Sequence, residues 1–224
     1  MALRPLPSLI DHTVLRPETT KADVVRACEE ARRYGFVVVF VAPCYVDHAV
    51  ATLAGTRIQV GAPIGFPHGS QTTRTKVGEA VEACKRGATE LDMVLNIGRL
   101  KSEDYDAVRR EIAEFVQSTP GAGHKVILET CYLTQQEKMI ACRLAVDAGV
   151  DYVKTSTGIG PGGATVEDVC LLKEAVAGQA KVKAAGGIRD LKTALALLDA
   201  GADRLGTSAS VAIMEAWLAA QEQK

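Results

Sequence analysis

The sequence predicts a single (β/α)8 barrel, an α/β fold of the TIM-barrel type, as one domain over residues 1–224. Short apolar runs alternate eight times with longer amphipathic runs, and this alternation favours a parallel sheet whose strands are joined by helices. Residues 148–156 and 200–208 form a weak repeat, in which a helix end is followed by glycine, a strand and Thr-Ser. A repeated βα unit suits a barrel better than an open sheet. No Pro/Ser-rich linker divides the chain, so we expect one domain.

Eight apolar runs of strand length are the predicted strands. Polar, glycine or proline residues separate them, as is usual between strands and helices. In chain order they are Ser8–Thr13, Val37–Ala42, Ile58–Ile64, Thr89–Leu95, Lys125–Thr130, Tyr152–Thr155, Lys181–Ala185 and Arg204–Gly206.

Eight amphipathic segments are the predicted helices. Gly35, Gly87, Gly149 and Gly201 each follow one of them, where glycine tolerates the left-handed conformation that ends many helices. Thr134 begins a capping-box pattern at the start of another helix. In chain order the helices are Lys21–Tyr34, Val46–Leu53, Arg74–Arg86, Glu103–Ser118, Gln135–Ala148, Val166–Ala177, Leu191–Ala200 and one near Ala212–Gln221.

Composition and charge exclude several classes of protein. Hydrophobic residues make up 47% and charged residues 24%, which is typical of a folded chain and excludes disorder. Lys+Arg 26 against Asp+Glu 27 gives a formal charge of −1. A nucleic-acid binder needs a basic surplus, and so does a polybasic membrane anchor. We therefore expect neither a nucleic acid nor a membrane as a partner.

The chain shows no sequence sign of export, membrane insertion or metal binding. The longest strongly apolar run, Phe36–Ala42, is too short to cross a bilayer, and the first ten residues lack the apolar core of a signal peptide. The six cysteines contain no C-x-x-C pair, and the four histidines contain no H-x-x-x-H pair. We therefore expect a cytoplasmic protein that needs no metal and no other cofactor.

Two lysines inside predicted strands are candidate site residues, because this fold places its chemistry at the carboxyl ends of the strands. Lys154 lies near the end of the sixth strand, and alternation with Val153 turns it toward the barrel interior. Lys183 lies in the seventh strand. Lys181 shares its face but lies nearer the strand start, where it can reach solvent, so we favour Lys183. A lysine that simply extends to solvent is the alternative for each.

Two carboxylates are predicted to face the same interior. Alternation along the fourth strand sends Asp92, Val94 and Asn96 inward, and Asp11 alternates with Ile10 in the first strand. A structural hydrogen bond is the alternative for each carboxylate. Buried charges need partners, so two inward carboxylates together with two inward lysines favour a site.

Glycine-rich turns after the last three strands form a candidate anion site. Residues 186–189 (Gly-Gly-Ile-Arg) follow the seventh strand, residues 206–208 (Gly-Thr-Ser) follow the eighth, and residues 157–163 follow the sixth. Glycine lets backbone N–H groups approach an anion closely, and the loops after strands seven and eight are the usual phosphate site of this fold. Ordinary turn glycines are the alternative.

Four motifs resemble the deoxyribose-phosphate aldolase family, with similarity from Leu9 to about Ala209. They are residues 11–13 (Asp-His-Thr), 90–94 (Glu-Leu-Asp-Met-Val), 153–158 (Val-Lys-Thr-Ser-Thr-Gly) and 182–189 (Val-Lys-Ala-Ala-Gly-Gly-Ile-Arg). The resemblance implies the barrel fold. It also implies reversible, metal-independent cleavage of 2-deoxy-D-ribose 5-phosphate to D-glyceraldehyde 3-phosphate and acetaldehyde through a lysine Schiff base. The implied partners are a small sugar phosphate and acetaldehyde.

The same resemblance implies roles for individual residues. Lys154 matches the Schiff-base lysine, Lys183 the second lysine, Asp92 the acid/base carboxylate and Asp11 a supporting aspartate. The positions that match the family's phosphate loops are Gly158, Gly186, Gly187, Arg189, Gly206 and Ser208.

This chain departs from some family members in the phosphate loops. Ile159 follows Gly158, where some members carry a lysine, and Ala209 follows Ser208, where some carry a second serine. The departures affect the predicted phosphate contacts and leave the catalytic lysines as they are.

Three other functions remain open from the sequence. The chain could be an imine-forming aldolase for another phosphorylated sugar, a non-catalytic barrel that only binds sugar phosphates, or, less favoured, a phosphate-binding isomerase barrel. A homo-oligomer is possible, because the sequence does not fix the oligomeric state. Cys44 lies just after the second strand, and an inert thiol is favoured there over one that reaches the barrel mouth and reacts with unsaturated aldehydes.

Overall fold

The computed structural model describes residues 5–222 and confirms the predicted barrel. Eight parallel strands are hydrogen-bonded in chain order, and the barrel closes where the eighth strand pairs with the first. The extent of the single domain over residues 1–224 stays a prediction, since its ends lie outside the described residues. The strands are β1 (Ile10–Val14), β2 (Val38–Val41), β3 (Gln59–Ile64), β4 (Glu90–Val94), β5 (Gly123–Ile127), β6 (Tyr152–Lys154), β7 (Lys181–Ala185) and β8 (Arg204–Thr207).

The helices surround the barrel. All eight predicted helices are present, and short 3-10 helices occur at Leu6–Leu9, Pro43–Tyr45 and Thr130–Tyr132. Within residues 5–222, no helix is both long and apolar enough to cross a membrane. The α-helices are α1 (Lys21–Tyr34), α2 (Val46–Thr52), α3 (Thr73–Lys85), α4 (Ile97–Lys101), α5 (Tyr105–Ser118), α6 (Gln135–Asp147), α7 (Val166–Val176), α8 (Leu191–Asp199) and α9 (Ser210–Glu222).

The main hydrophobic core lies between the strands and the surrounding helices. Leu91 and Met93 of β4, Val153 of β6 and Val182 of β7 are fully buried in it. Successive side chains of a strand point to opposite faces. The residues between these apolar positions therefore face the barrel interior, which is where the candidate charges lie.

The structure differs from the prediction after β4. A short helix, α4, was not predicted there, and Asn96 caps it by accepting a hydrogen bond from the backbone N–H of Arg99 at 3.2 Å. The expectation that Asn96 faces the barrel interior is therefore wrong. Helix α5 begins at Tyr105, because Glu103 has a positive φ of 60° that no α-helix accommodates.

The end of β5 also differs. The predicted strand ran from Lys125 to Thr130, whereas β5 ends at Ile127. Glu129 has a left-handed backbone (φ 54°, ψ 63°), and a 3-10 helix follows directly. A left-handed residue turns the chain out of the extended conformation, so the strand cannot continue to Thr130.

Candidate active site

Asp92 lies at the centre of a buried cluster of lysines inside the barrel. Its Oδ2 atom accepts hydrogen bonds from the Nζ atoms of Lys154 and Lys183, both at 2.8 Å. The Nζ atom of Lys125 lies 3.3 Å from Oδ1. The strand register explains the arrangement, because Lys154 pairs with Lys183 across β6 and β7, and Asp92 pairs with Lys125 across β4 and β5. The predicted inward facing of Asp92, Lys154 and Lys183 is confirmed.

Asp11 is a second interior carboxylate and holds Lys183 from another side. Its Oδ2 atom lies 2.5 Å from the Nζ atom of Lys183, and its Oδ1 atom accepts a hydrogen bond of 2.7 Å from Arg204. Gly206 gives Lys183 the room it needs, since a Cβ at this position would lie 2.9 Å from the Cε atom of Lys183. Lys183 is therefore fixed between two carboxylates.

The interior charges nearly balance. The connected cluster holds four cations and three carboxylates, so its net charge is +1 when every group is ionised. It becomes neutral if one lysine loses its proton. The members are Lys125, Lys154, Lys183, Arg204, Asp11, Glu90 and Asp92.

Lys154 is the lysine of this cluster whose pKa is lowered. Burial of the amine lowers it most, Asp92 opposes this effect, and the positive charge of Lys183 lowers it further, so that the pKa of Lys154 is about 8. Burial alone would raise the pKa of Asp92, but Lys154, Lys183 and Lys125 hold it well below its ordinary value. Asp92 is thus ionised at neutral pH while part of Lys154 is neutral.

The ring of Phe40 covers the lysines from within the barrel. The Nζ atom of Lys183 lies 3.9 Å from the ring centroid, and those of Lys125 and Lys154 lie 5.2 and 5.8 Å from it. An aromatic ring attracts cations through its face and also keeps water from them. Phe40 is itself buried and forms part of the apolar wall around these amines.

A cleft of about 1060 Å³ opens above this cluster, large enough for a sugar phosphate. Among the four candidate catalytic residues, all of them described by the structure, only Lys154 lines the cleft. Asp11, Asp92 and Lys183 lie beneath it and are at most 1% exposed. The six predicted phosphate-loop residues all line the same cleft, namely Gly158, Gly186, Gly187, Arg189, Gly206 and Ser208.

Three members of the cluster were not predicted. Glu90, Lys125 and Arg204 are charged residues in predicted strands, the same signal that identified Lys154. Their neighbours across the barrel depend on strand register, which the sequence does not show. Lys181, the competitor of Lys183, is exposed as expected, and its Nζ atom lies over the ring of Tyr152.

Cys44 lies outside this site. Its thiol is exposed, and the described residues that line the cleft do not include it. Within residues 5–222, no group of three or more His, Cys, Asp or Glu side chains could hold a metal ion.

Known proteins similar to this chain agree with the family that the motifs resemble. A family model described as DeoC/LacD family aldolase matches residues 7–215. The deoxyribose-phosphate aldolase of Thermoanaerobacter sp. (strain X514) is 55% identical over 212 residues, which cover 93% of this chain and 95% of that protein. An aldolase of known structure, QR15, is 42% identical with a TM-score of 0.94 over 98% of both chains.

A third relative has a described assembly. The structure of deoxyribose phosphate aldolase from Aeropyrum pernix, described as tetrameric, is 34% identical with a TM-score of 0.88, over 96% of this chain and 92% of that chain. Sequence and structure thus lead to one family over nearly the whole chain. This chain belongs to the DeoC/LacD family of aldolases.

Proposed function

We propose that this chain is a class I aldolase that reversibly cleaves 2-deoxy-D-ribose 5-phosphate to D-glyceraldehyde 3-phosphate and acetaldehyde. One observation carries the proposal: Lys154 lines the open cleft, and its amine contacts buried Asp92. At pH 7, a pKa of about 8 leaves roughly a tenth of the amine neutral, roughly 300 times more than a free lysine. A neutral amine is the form that attacks an aldehyde. The 55% identity with the Thermoanaerobacter enzyme supports the same substrate.

Lys154 would carry the covalent chemistry. Its neutral amine attacks the aldehyde carbon C1 of the open-chain sugar, takes up one proton and releases water, which leaves a protonated imine. The imine draws in the electron pair of the C2–C3 bond. As that bond breaks, the C3 hydroxyl loses its proton, and C3 becomes the aldehyde of glyceraldehyde 3-phosphate. The enamine left on Lys154 is protonated at C2 and hydrolysed, which releases acetaldehyde and restores the amine.

Asp92 and Lys183, which lie beneath the cleft, would support these reaction steps. Asp92 stabilises the positive charge of the imine, because its carboxylate already contacts the Lys154 amine at 2.8 Å. Lys183 shares the same carboxylate oxygen, so the pair can pass a proton. Asp11 holds Lys183 in place through its ion pair at 2.5 Å.

The glycine-rich rim of the cleft would bind the phosphate. Gly158, Gly186 and Gly187 all have positive φ angles, between 76° and 91°, so their backbone follows paths that other residues rarely take. Arg189 and Ser208 line the same cleft and are exposed. A guanidinium, a hydroxyl and backbone N–H groups are suitable donors for a phosphate.

The proposal includes a homo-oligomer in a reducing cytoplasm, acting without a metal or another cofactor. The tetrameric aldolase of Aeropyrum pernix supports oligomerisation. The six cysteines are all free thiols, which suits a reducing compartment. The net charge of −1 supports a small-molecule partner rather than a nucleic acid.

Product analysis tests the proposed function. Wild type with 2-deoxy-D-ribose 5-phosphate should release acetaldehyde and glyceraldehyde 3-phosphate in equal amounts, and EDTA should leave the rate unchanged. Lys154→Met should lose roughly a thousandfold or more of this activity, because it removes the nucleophile. Binding without products would indicate the non-catalytic barrel. Turnover of a different phosphorylated sugar alone would indicate an aldolase of other specificity.

A further inference from the structure

Glu129 is a buried residue beside the active site to which the mechanism above gives no role. It lies two residues beyond β5, is 2% exposed and has a left-handed backbone. A residue with a side chain adopts this conformation only at an energetic cost. Two other non-glycine residues of the described chain have a positive φ, Glu103 and Ala177, and both are exposed. The surroundings of Glu129 must therefore hold it in place.

The backbone on either side of Glu129 is bonded to the end of β6. The N–H of Leu128 donates to the carbonyl of Lys154 at 2.9 Å, and the N–H of Thr130 donates to the carbonyl of Thr155 at 3.0 Å. Leu128 and Thr130 are thus both bonded to the segment at the end of β6. These bonds place the side chain of Glu129 over the loop that follows β6.

The carboxylate of Glu129 binds this loop through Thr157. Both carboxylate oxygens lie 3.2 Å from the backbone nitrogen of Thr157, whose hydroxyl also donates to Oε2. The same hydroxyl oxygen accepts the N–H of Ile159 at 3.1 Å. This chain of hydrogen bonds fixes the backbone on both sides of Gly158.

The loop also passes close above the carboxylate. A Cβ at Gly160 would lie 3.2 Å from the Cδ atom of Glu129, so only a residue without a side chain fits there easily. The described residues that line the cleft include Thr157, Gly158 and Ile159 but not Glu129. Glu129 thus contacts the wall of the cleft from behind, where it cannot touch the substrate.

We propose that Glu129 is a positioning residue for the phosphorylated end of the substrate, acting through Thr157 to hold the backbone around Gly158 in its anion-binding conformation. Lys154 should not depend on Glu129 for its reactivity, since the β6 ladder and Asp92 hold it. The inference rests on the proposed function, because it requires a phosphorylated substrate. It predicts an effect on phosphate recognition that is separate from imine formation.

Steady-state kinetics with two substrates tests the inference. Glu129→Ala should raise KM for 2-deoxy-D-ribose 5-phosphate about tenfold, the effect of one lost hydrogen bond to a charged group. Its kcat/KM for unphosphorylated 2-deoxy-D-ribose should stay within about twofold of wild type. Borohydride traps the imine that acetaldehyde forms with Lys154, and the pH midpoint of this trapping should also stay unchanged. Glu129→Gln keeps an acceptor oxygen and should restore most of the affinity for the phosphorylated sugar.

Thr157→Val provides a second variant if Glu129→Ala folds poorly. It should raise KM for the phosphorylated sugar in the same direction. Its effect should be less than additive with that of Glu129→Ala, because both changes break the contact between Glu129 and the Thr157 hydroxyl, although Thr157→Val also removes the acceptor of the Ile159 N–H. Glu103→Ala is the matched control, since Glu103 is a left-handed but exposed glutamate, and it should match wild type.

Four results would overturn the inference. An unchanged KM for the phosphorylated sugar in Glu129→Ala would show that the loop does not need the carboxylate. An equal loss with both sugars, or a shifted trapping midpoint, would show a general structural role. Failure of wild type to cleave the phosphorylated sugar would refute the proposed function as well, whereas the first three results leave that function intact.

Discussion

At the scale of single residues, the reactivity of Lys154 depends on opposing contributions. Burial favours the neutral amine and Asp92 favours the charged one, so the positive charge of Lys183 assists burial against Asp92. Lys183 also neutralises Asp92 and Asp11 through contacts of 2.8 and 2.5 Å. Removing its charge therefore leaves two carboxylates that both stabilise protonated Lys154.

Lys183→Leu should raise the pKa of Lys154 above about 8. A shift of about one pH unit corresponds to about 1.4 kcal/mol, well within the interaction of two charges near 4 Å. Activity near neutral pH should fall at least about tenfold, and imine formation should partly recover as pH rises. The pH dependence of borohydride trapping with acetaldehyde measures this shift.

Lys183→Arg is the charge-preserving control. It should keep the trapping midpoint near that of wild type but remain poor at turnover, because a guanidinium does not give up its proton in this pH range. Identical trapping profiles for wild type and Lys183→Leu would contradict the assignment and leave burial as the cause of the lowered pKa.

At the scale of secondary structure, element ends were predictable where local chemistry sets them. Helix α1 begins and ends as predicted, because Thr20 caps its first turn and left-handed Gly35 ends it. The end of β5 was not predictable, since Glu129 is held left-handed by Thr157, a partner 28 residues away. Strand alternation was enough to predict that Lys154 and Asp92 face inward. Their contacts with residues of other strands depend on the strand register, which the sequence does not show.

Gly206 in β8 shows how a strand makes room for a catalytic side chain. Gly206→Ala should lower activity about tenfold and stability by about 1–3 kcal/mol, because the new Cβ would lie 2.9 Å from Cε of Lys183 and 3.1 Å from Cβ of Ala185. Urea unfolding and steady-state kinetics measure the two effects.

A matched glycine in a helix should respond in the opposite direction. Gly78 lies in α3, and a Cβ there would meet nothing within 4 Å. Gly78→Ala should therefore stabilise the protein by about 0.5–1 kcal/mol with unchanged activity. If both alanine variants behaved alike, the space beside Lys183 would not be the reason for glycine at 206.

At the scale of the whole molecule, the barrel interior is a charge network rather than an apolar core. It runs from Glu90, at the first residue of β4, through Lys125 and Asp92 to Lys154 at the end of β6. Removal of one partner from a buried ion pair leaves an uncompensated charge, which is more costly than removal of both. The network should therefore contribute to stability as a unit.

Lys125→Met should lower the free energy of unfolding by about 3–5 kcal/mol, because it leaves Glu90 buried and unpaired. The double variant Glu90→Gln, Lys125→Met should recover part of this loss. Urea unfolding of wild type, both single variants and the double variant gives the coupling free energy. Strict additivity of the two single effects would show that the pair is not coupled.

Lys154 is the residue expected to form the imine. To test this assignment, wild type is incubated with acetaldehyde and reduced with borohydride, and the modified residue is mapped by mass spectrometry. An adduct is expected on Lys154, the lysine of the interior cluster that lines the cleft and has a pKa of about 8. An adduct on Lys183 or Lys181, with Lys154 unmodified, would contradict it.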